Sequence, residues 1–192
     1  MQLSATASSF GAFALPARSA DAALLMTAST SGYSAQITGK NNAMGVALAE
    51  VYDATPPASV NATTPRLTNL SARAQVGTSS EILIVGFTIS GGPQTLLIRV
   101  IGPSLAPFGV ADALANPRLA VFSGSQQIAA NDDWSGDAAL AAAFAATGAF
   151  PLATNSRDAG LVVTLPPGSY TAQASGVNGT TGVALVELYE LP

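Results

Sequence analysis

The sequence predicts an all-β protein built from β-sandwich modules, of jelly-roll or immunoglobulin-like type, with one short helix and one and a half copies of a tandem repeat. Three observations predict this class. Short apolar segments alternate with a period of two residues, glycine- and proline-rich turns separate them, and the chain matches itself at an offset of 137 residues. Many short strands with such turns are typical of a sandwich.

The repeat relates the N-terminal part of the chain to its C-terminal end. Residues 11–53 match residues 148–190 without a gap, and about 20 of the 43 positions are identical. A period of this length indicates tandem domains rather than a solenoid. The sequence therefore predicts repeated domains of which one copy is partial.

The match divides the chain into three regions. Residues 1–53 form a partial repeat, called here the tail copy, and residues 54–65 form a Pro/Thr-rich linker that we expect to be extended. The complete repeat spans 66–192 and consists of a head (66–136) and a tail (137–192). On this division the tail copy has no head before it.

In the tail copy and the head, the alternation of apolar and polar residues predicts the strands. Tyr33, Ala35 and Ile37 alternate with polar residues and predict a half-buried strand. Further strands are predicted in the head, at 69–76, 81–90, 94–102 and 118–123.

The tail begins with the short helix and continues as strands. The alanine-rich segment Asp137 to Ala146 predicts the helix, and residues 170–175 predict a strand. Asn178-Gly179 predicts a hairpin turn between the last two strands. The last strand, Val183 to Tyr189, is apolar on both faces, so we expect it to be central in its sheet.

Several motifs together resemble a repeat found near the C-terminal ends of large exported bacterial proteins. They are Arg66–Arg73, Ile84–Phe87, Leu97–Leu105, Ala130–Trp134 and Val183–Tyr189. Residues 128–189 are also distantly similar to bacterial pre-peptidase C-terminal β-sandwich domains. The resemblance implies a secreted or cell-surface bacterial module without established catalysis.

The charge pattern excludes one class of partner. Apolar residues make up 48% of the chain and charged residues 9%, and the net charge is −4. A nucleic-acid-binding protein needs a basic face to neutralise phosphates, which seven basic residues do not supply. No apolar run approaches the roughly 18 residues of a membrane helix, so we expect no membrane span.

The residue types also argue against an enzyme. The chain has no histidine and no cysteine, which removes the usual general base, the thiol nucleophile and the commonest zinc ligands. Ser104 lies in Gly-Pro-Ser-Leu, which is not a nucleophile elbow, and no histidine activates it. Asp21 and Asp158 hold matching places before strands, where we expect them to cap turns.

Two glutamates hold matching places in apolar strands. Glu50 and Glu187 are each flanked by apolar residues, and a buried carboxylate needs a partner. Arg99, between Ile98 and Val100, is the first candidate, and Arg73 is the second. The sequence therefore predicts a structural ion pair between Arg99 and Glu187.

A polar cluster gives the candidate ligand sites. Asn131, Asp132, Asp133 and Asp137 carry hard oxygen ligands and form a candidate calcium site; no other cofactor is expected. The alternative is a turn followed by a helix start, with Asp137 at exposed N–H groups. Trp134 is a candidate for stacking on a sugar ring if it lies on the surface; the alternative is buried packing.

The tail copy carries the candidate assembly surface. Six apolar residues would be left exposed without a head: Leu24, Met26, Tyr33, Ile37, Val46 and Leu48. Three outcomes are open for the tail copy: it packs on the head of its own chain, it folds alone, or a neighbouring chain completes it. We favour the third outcome, head-to-tail self-association into an extracellular filament or surface layer. The alternative is a polysaccharide-binding or adhesive module of a larger secreted protein.

Overall fold

The computed structural model describes residues 2–9, 12–61 and 63–192. The chain forms two compact units, Met1–Leu67 and Thr68–Pro192. The second unit begins within the first residues of the predicted complete repeat. In the described part of the chain, no helix is long and apolar enough to cross a membrane.

The C-terminal unit is a sandwich of two four-stranded antiparallel sheets, which confirms the predicted fold class. Its strands are β1 (Asn69–Val76), β2 (Leu83–Ile89), β3 (Gln94–Ile101), β4 (Pro117–Ser123), β5 (Gln126–Asn131), β6 (Ala159–Leu165), β7 (Gly168–Gly176) and β8 (Gly182–Glu190). One sheet has the strand order β1-β8-β3-β6, and the other has the order β2-β7-β4-β5.

Two helices accompany the strands. Helix α2 (Ala138–Thr147) lies where the sequence predicts a helix, and Asp137 caps it by accepting a hydrogen bond from the Leu140 N–H. Helix α1 (Gln2–Ser9) was not predicted. At the offset of 137 residues, positions 2–9 correspond to 139–146, which lie within α2.

Every strand of the tail pairs with strands of the head. β6 pairs with β3, β7 lies between β2 and β4, and β8 lies between β1 and β3, a central place as expected. The predicted hairpin at Asn178-Gly179 is wrong, because β7 and β8 lie in different sheets and this turn carries the chain from one sheet to the other. The tail is therefore not a three-stranded sheet of its own.

The unit has two apolar clusters, one on each face of the sheet that contains β3. Ile98 and Val100 of β3 point into the first cluster, between the sheets. Leu97 and Ile101 point to the opposite face, where helix α2 covers a second cluster. Arg99 alternates with Ile98 and Val100, so β3 presents it to the face that α2 covers.

The described residues of the N-terminal unit form α1 and short 3-10 helices at Lys40–Asn42 and Pro57–Ser59, and no strand. The strand predicted around Tyr33 to Ile37 is therefore wrong for this unit. The pairing within the C-terminal unit gives the reason. Tail strands form ladders only with head strands, and residues 12–53 contain no counterpart of β1 to β5.

Candidate functional site: the contact between head and tail

An ion pair joins the head to the tail. Arg99 on β3 lies directly opposite Glu187 on β8. The Arg99 Nε donates to Glu187 Oε2 at 3.1 Å, and Nη2 donates to the same oxygen. Arg99 is fully buried and Glu187 is 5% exposed. The structure thus brings these two residues together, whereas the second candidate, Arg73, is exposed and lies opposite Leu185.

The rest of the guanidinium is enclosed by tail residues. Its Nη1 donates to the Phe150 carbonyl oxygen at 2.6 Å. Its Cζ lies 4.8 Å, 4.6 Å and 5.8 Å from the ring centroids of Phe144, Phe150 and Tyr189. A buried cation is tolerated only with a counter-ion and further hydrogen bonds, and this site supplies both together with aromatic faces.

Tyr189 completes the partners of Glu187. Its hydroxyl donates to Glu187 Oε1 at 2.9 Å, so both carboxylate oxygens accept hydrogen bonds. Burial, followed by the negative charge of Glu187 and the hydrogen bond to it, raises the pKa of Tyr189 to about 12. The phenol therefore stays protonated and remains a donor at all ordinary pH values.

Asp158 forms a second contact between tail and head. Its side chain is fully buried, and Oδ1 accepts from the Gly102 N–H at 2.8 Å and the Ser104 N–H at 3.4 Å. The Ser104 hydroxyl donates to Oδ2. We expected Asp158 to cap a turn, and its partner is the Gly-Pro-Ser-Leu loop of the head. Hydrogen-bond donors at both oxygens satisfy the buried carboxylate.

The tail copy preserves part of this arrangement. The Tyr52 hydroxyl donates to Glu50 Oε1 at 3.1 Å, as the Tyr189 hydroxyl does to Glu187. In the described part of the chain Glu50 forms no ion pair, and its side chain is exposed. The carboxylate and its tyrosine donor are therefore in place without an arginine.

The turn before the last tail segment also has the same backbone in both copies. Asn41 has φ 55° and ψ 37°, and its counterpart Asn178 has φ 55° and ψ 30°. The Ala43 N–H bonds to the Lys40 carbonyl at 3.2 Å, and the equivalent bond in the tail is also 3.2 Å long. The tail copy thus keeps the turn geometry of the complete sandwich.

The predicted assembly residues are all more than half exposed. Their exposed fractions are 81% for Leu24, 54% for Met26, 54% for Tyr33, 63% for Ile37, 99% for Val46 and 73% for Leu48. An apolar surface of this extent marks an interaction site when it is contiguous in the functional state.

The predicted ligand residues take mainly structural roles. Trp134 is 5% exposed, packs on Phe144 at 5.5 Å between ring centroids, and its Nε1 donates to the Ala153 carbonyl and Ser156 Oγ. The alternative of buried packing describes this residue. Its indole does not form an open platform on which a sugar ring stacks.

The candidate calcium residues are partly engaged within the fold. Asn131 Oδ1 accepts from the Gly160 N–H at 3.0 Å, and Asp137 caps α2, while Asp132 and Asp133 are exposed. No group of three or more His, Cys, Asp or Glu residues is placed to hold a metal ion within the described ranges. Calcium binding at these residues stays a prediction.

An open polar groove lies beside this loop. It has a volume of about 450 Å³ and is lined by residues that include Arg118, Asn131, Asp132, Ser175 and Asn178. These side chains offer both hydrogen-bond donors and acceptors. No aromatic side chain lines the groove.

Sequence reasoning missed the Asp158 contact and the role of Tyr189. The signal for both was present in the repeat, because Asp21 and Tyr52 preserve these residue types at the same offset as Glu50. The three retained residues are Asp21, Glu50 and Tyr52. Of their counterparts in the tail, Asp158 binds Gly102 and Ser104, Glu187 binds Arg99, and Tyr189 donates to Glu187.

Comparisons with known proteins give one similar structure. No protein-family model matches this chain, and no curated protein matches it significantly. A crystal structure of the pre-peptidase C-terminal domain of a collagenase from Bacillus anthracis is similar at a TM-score of 0.39 and 10% sequence identity. The match covers 63% of this chain and 89% of that domain.

Proposed function

We propose that this chain is a non-catalytic structural protein of the bacterial cell surface or extracellular space, and that its copies assemble head-to-tail through the tail copy. The observation that carries the proposal is the exposure of the tail copy's apolar side chains. Tyr33 is 54% exposed, whereas its counterpart in the complete sandwich, Tyr170, is 7% exposed.

The exposed surface provides a driving force for association. Covering about 400 Å² of apolar surface stabilises a contact by roughly 10 kcal/mol at about 25 cal/mol per Å², before the loss of conformational freedom is subtracted. The counterparts of the tail copy's apolar side chains are covered to a greater degree in the tail: Tyr170 and Ala174 are buried, and Leu161, Val163, Val183 and Leu185 are partly buried. A second molecule with a compatible sheet is therefore a suitable cover.

The sandwich offers edges on which a strand can add. β1 and β6 are the edges of one sheet, and β2 and β5 are the edges of the other. β1 is eight residues long and has one charged residue, Arg73, so little on it opposes pairing with another chain. A tail copy that contacts another molecule's sandwich makes a heterologous contact, which extends into a filament unless it closes a ring.

The residue types support a role without catalysis. The sequence has neither histidine nor cysteine, and the carboxylate that accepts from the Ser104 hydroxyl, Asp158, is buried and also holds the Gly102 N–H. The motifs from Arg66 to Tyr189 that resemble repeats of exported bacterial proteins support a place outside the cell. These features support a building block that acts through its surfaces.

The test is the size of the purified chain in solution and by electron microscopy. We expect light scattering to show association that grows with concentration, and negative-stain images to show filaments or sheets. Leu48→Asp, at a side chain that is 73% exposed, should abolish association, whereas Val60→Asp, at a 59% exposed position in the linker, should not. A wild-type chain that stays monomeric at high concentration contradicts the proposal.

Polysaccharide binding is the second candidate function, and the polar groove beside Arg118 is the observation that favours it. Immobilised bacterial polysaccharides should then retain the chain. Arg118→Ala should reduce that retention, and Arg73→Ala, which removes an exposed arginine elsewhere on the unit, should not. Equal retention of both variants rules out the groove.

A further inference from the structure

The tail copy retains the side chains with which the tail holds the head. Glu187 and Tyr189 have the counterparts Glu50 and Tyr52, which share the same hydrogen bond. Asp158, which binds Gly102 and Ser104 of the head, has the counterpart Asp21. Outside a sandwich, Glu50, Tyr52 and Asp21 have no buried partner to bind.

The tail copy also retains two glycines that have no room for a side chain in the tail. A Cβ at Gly176 would lie 1.8 Å from the Thr180 carbonyl oxygen, and a Cβ at Gly182 would lie 2.7 Å from the Leu114 nitrogen. Their counterparts are Gly39 and Gly45. The second contact is with the head, so Gly45 matters only where a head is present.

Two glycines with room around them are not retained, whereas a third, Gly148, has the counterpart Gly11. A Cβ at Gly160 would have no neighbour closer than 3.8 Å, and its counterpart is Ala23. Gly179 has nothing within 4 Å, and its counterpart is Asn42, a residue that tolerates the left-handed backbone found there. Gly168, where a Cβ would lie 3.3 Å from the Tyr170 hydroxyl, has the counterpart Ser31, and a Cβ at Gly39 would meet the Ala43 carbonyl oxygen within the tail copy itself. Gly45 is therefore the glycine whose retention points to a head.

We propose that the tail copy is a second functional tail, which takes the place of residues 137–192 in the head of another copy of this chain, with Glu50 bound to Arg99. This inference rests on the proposed self-association and specifies its contact. The partner is a second molecule with the same head. The tail copy carries Glu50, the acid that the buried guanidinium of Arg99 requires, and Gly45, which leaves room for the backbone of Leu114.

The pairing of β8 fixes the register of this contact. In the tail, Val183 lies opposite Gln75 of β1, and Glu187 lies opposite Arg99 of β3. Val46 of one molecule therefore lies opposite Gln75 of the next, and Glu50 lies opposite Arg99. Met44, which precedes this segment, has no partner on β1.

The exchange follows mass action. Residues 1–192 contain one head and two tails, so an incoming tail copy displaces the resident tail of the receiving molecule, and the number of completed heads stays constant. The apolar face of the displaced tail is exposed in return, so the exchange itself gains no burial. Each exchange nevertheless links two molecules, as in domain swapping. Linked molecules therefore accumulate as concentration rises and when the resident tail is weakened.

Disulfide formation between full-length chains tests the register, since the native sequence has no cysteine. The receiving chain carries Gln75→Cys and the donor chain carries Val46→Cys. The matched control donor carries Met44→Cys. The side chains of Met44 and Val46 are both 99% exposed, so cysteines at the two positions should form disulfides equally often in random encounters. Mixed at high concentration under mild oxidation, the Val46→Cys donor should yield about tenfold more heterodimer, because disulfides form only between closely placed Cα atoms.

Two further chains separate this contact from other association. Adding Glu50→Arg to the Val46→Cys donor should remove the excess heterodimer, because two cations then meet at Arg99. Adding Glu187→Gln to the receiving chain should raise the yield, because its own tail is held less firmly. Equal yields from the two donors, or an excess that persists with Glu50→Arg, overturns this inference. Filaments without the 46–75 disulfide leave the proposed function standing and refute only the exchange.

Discussion

Glu187 and Glu50 occupy equivalent positions in the two copies but have opposite surroundings. Glu187 is 5% exposed and bound to the guanidinium of Arg99, whereas Glu50 is exposed and accepts a hydrogen bond from Tyr52. The same substitution at the two sites therefore separates the effect of the head contact from the effect of the residue change itself.

Removal of the Glu187 carboxylate should strongly destabilise the C-terminal unit. We expect Glu187→Ala to lower the free energy of unfolding by about 3–5 kcal/mol, because it leaves a buried guanidinium without a counter-ion, and Glu187→Lys to prevent folding. Urea unfolding followed by the fluorescence of Trp134, the single tryptophan, measures this. Glu50→Ala should leave the same transition unchanged in dilute, monomeric protein; a similar loss at both sites would contradict the assignment.

Asp158 should contribute through its contact with the Gly-Pro-Ser-Leu loop. Asp158→Ala leaves the Gly102 N–H and the Ser104 hydroxyl without their acceptor, and we expect a loss of roughly 2–3 kcal/mol in unfolding free energy. Hydrogen exchange should show faster exchange at the Gly102 amide. Asp21→Ala is the matched control, and retention of slow exchange at Gly102 in Asp158→Ala would refute the contact.

Stability should fall at high pH through Tyr189. The folded pKa of about 12 lies above the ordinary value of 10.0, so folding favours the protonated phenol. This stabilisation is complete below pH 10 and is lost as the pH rises through about 12. Urea titrations at several pH values should show this loss, and Tyr189→Phe should remove the part of it that comes from this group. An unchanged pH profile in Tyr189→Phe would contradict it.

Gly176 should not accept a side chain. Gly176→Ala places a Cβ 1.8 Å from the Thr180 carbonyl oxygen, so the turn between β7 and β8 must shift. We expect a loss of at least about 2 kcal/mol in thermal or urea unfolding. Gly86→Ala, whose Cβ would be 3.9 Å from the Tyr170 carbonyl oxygen, is the control with a small effect. Equal losses would show that packing at this turn is not the cause.

The sequence predicts the positions of the strands more reliably than it predicts which strands pair with each other. The apolar run from Val183 to Tyr189 indicates a strand buried on both faces, and β8 is central. Asn178-Gly179 gives the local conformation of a turn but does not state which sheet the next strand joins. β5 was missed because half of the residues of Gln126–Asn131 are polar and the strand lies at a sheet edge, where little burial shapes its composition.

The same limit applies to the head–tail contact. A glutamate in an apolar strand requires a cation, so the Arg99–Glu187 pair was accessible to sequence reasoning. Asp158 was not, because two of its three donors are the backbone N–H groups of Gly102 and Ser104, and a backbone donor leaves no residue type to recognise. The repeat itself contained the missing information, since Asp21 is retained with Glu50.

The chain enters and leaves the sandwich at neighbouring points. The Glu190 N–H bonds to the Thr68 carbonyl at 3.0 Å, and Asn69 lies opposite Tyr189 at the start of the β1–β8 ladder. Tension applied to the two ends of this unit therefore separates β1 from β8 by breaking their hydrogen bonds one after another, starting at the Asn69–Tyr189 end, and not all at once. In the proposed assembly, a row of such units would therefore lengthen under a weak pull.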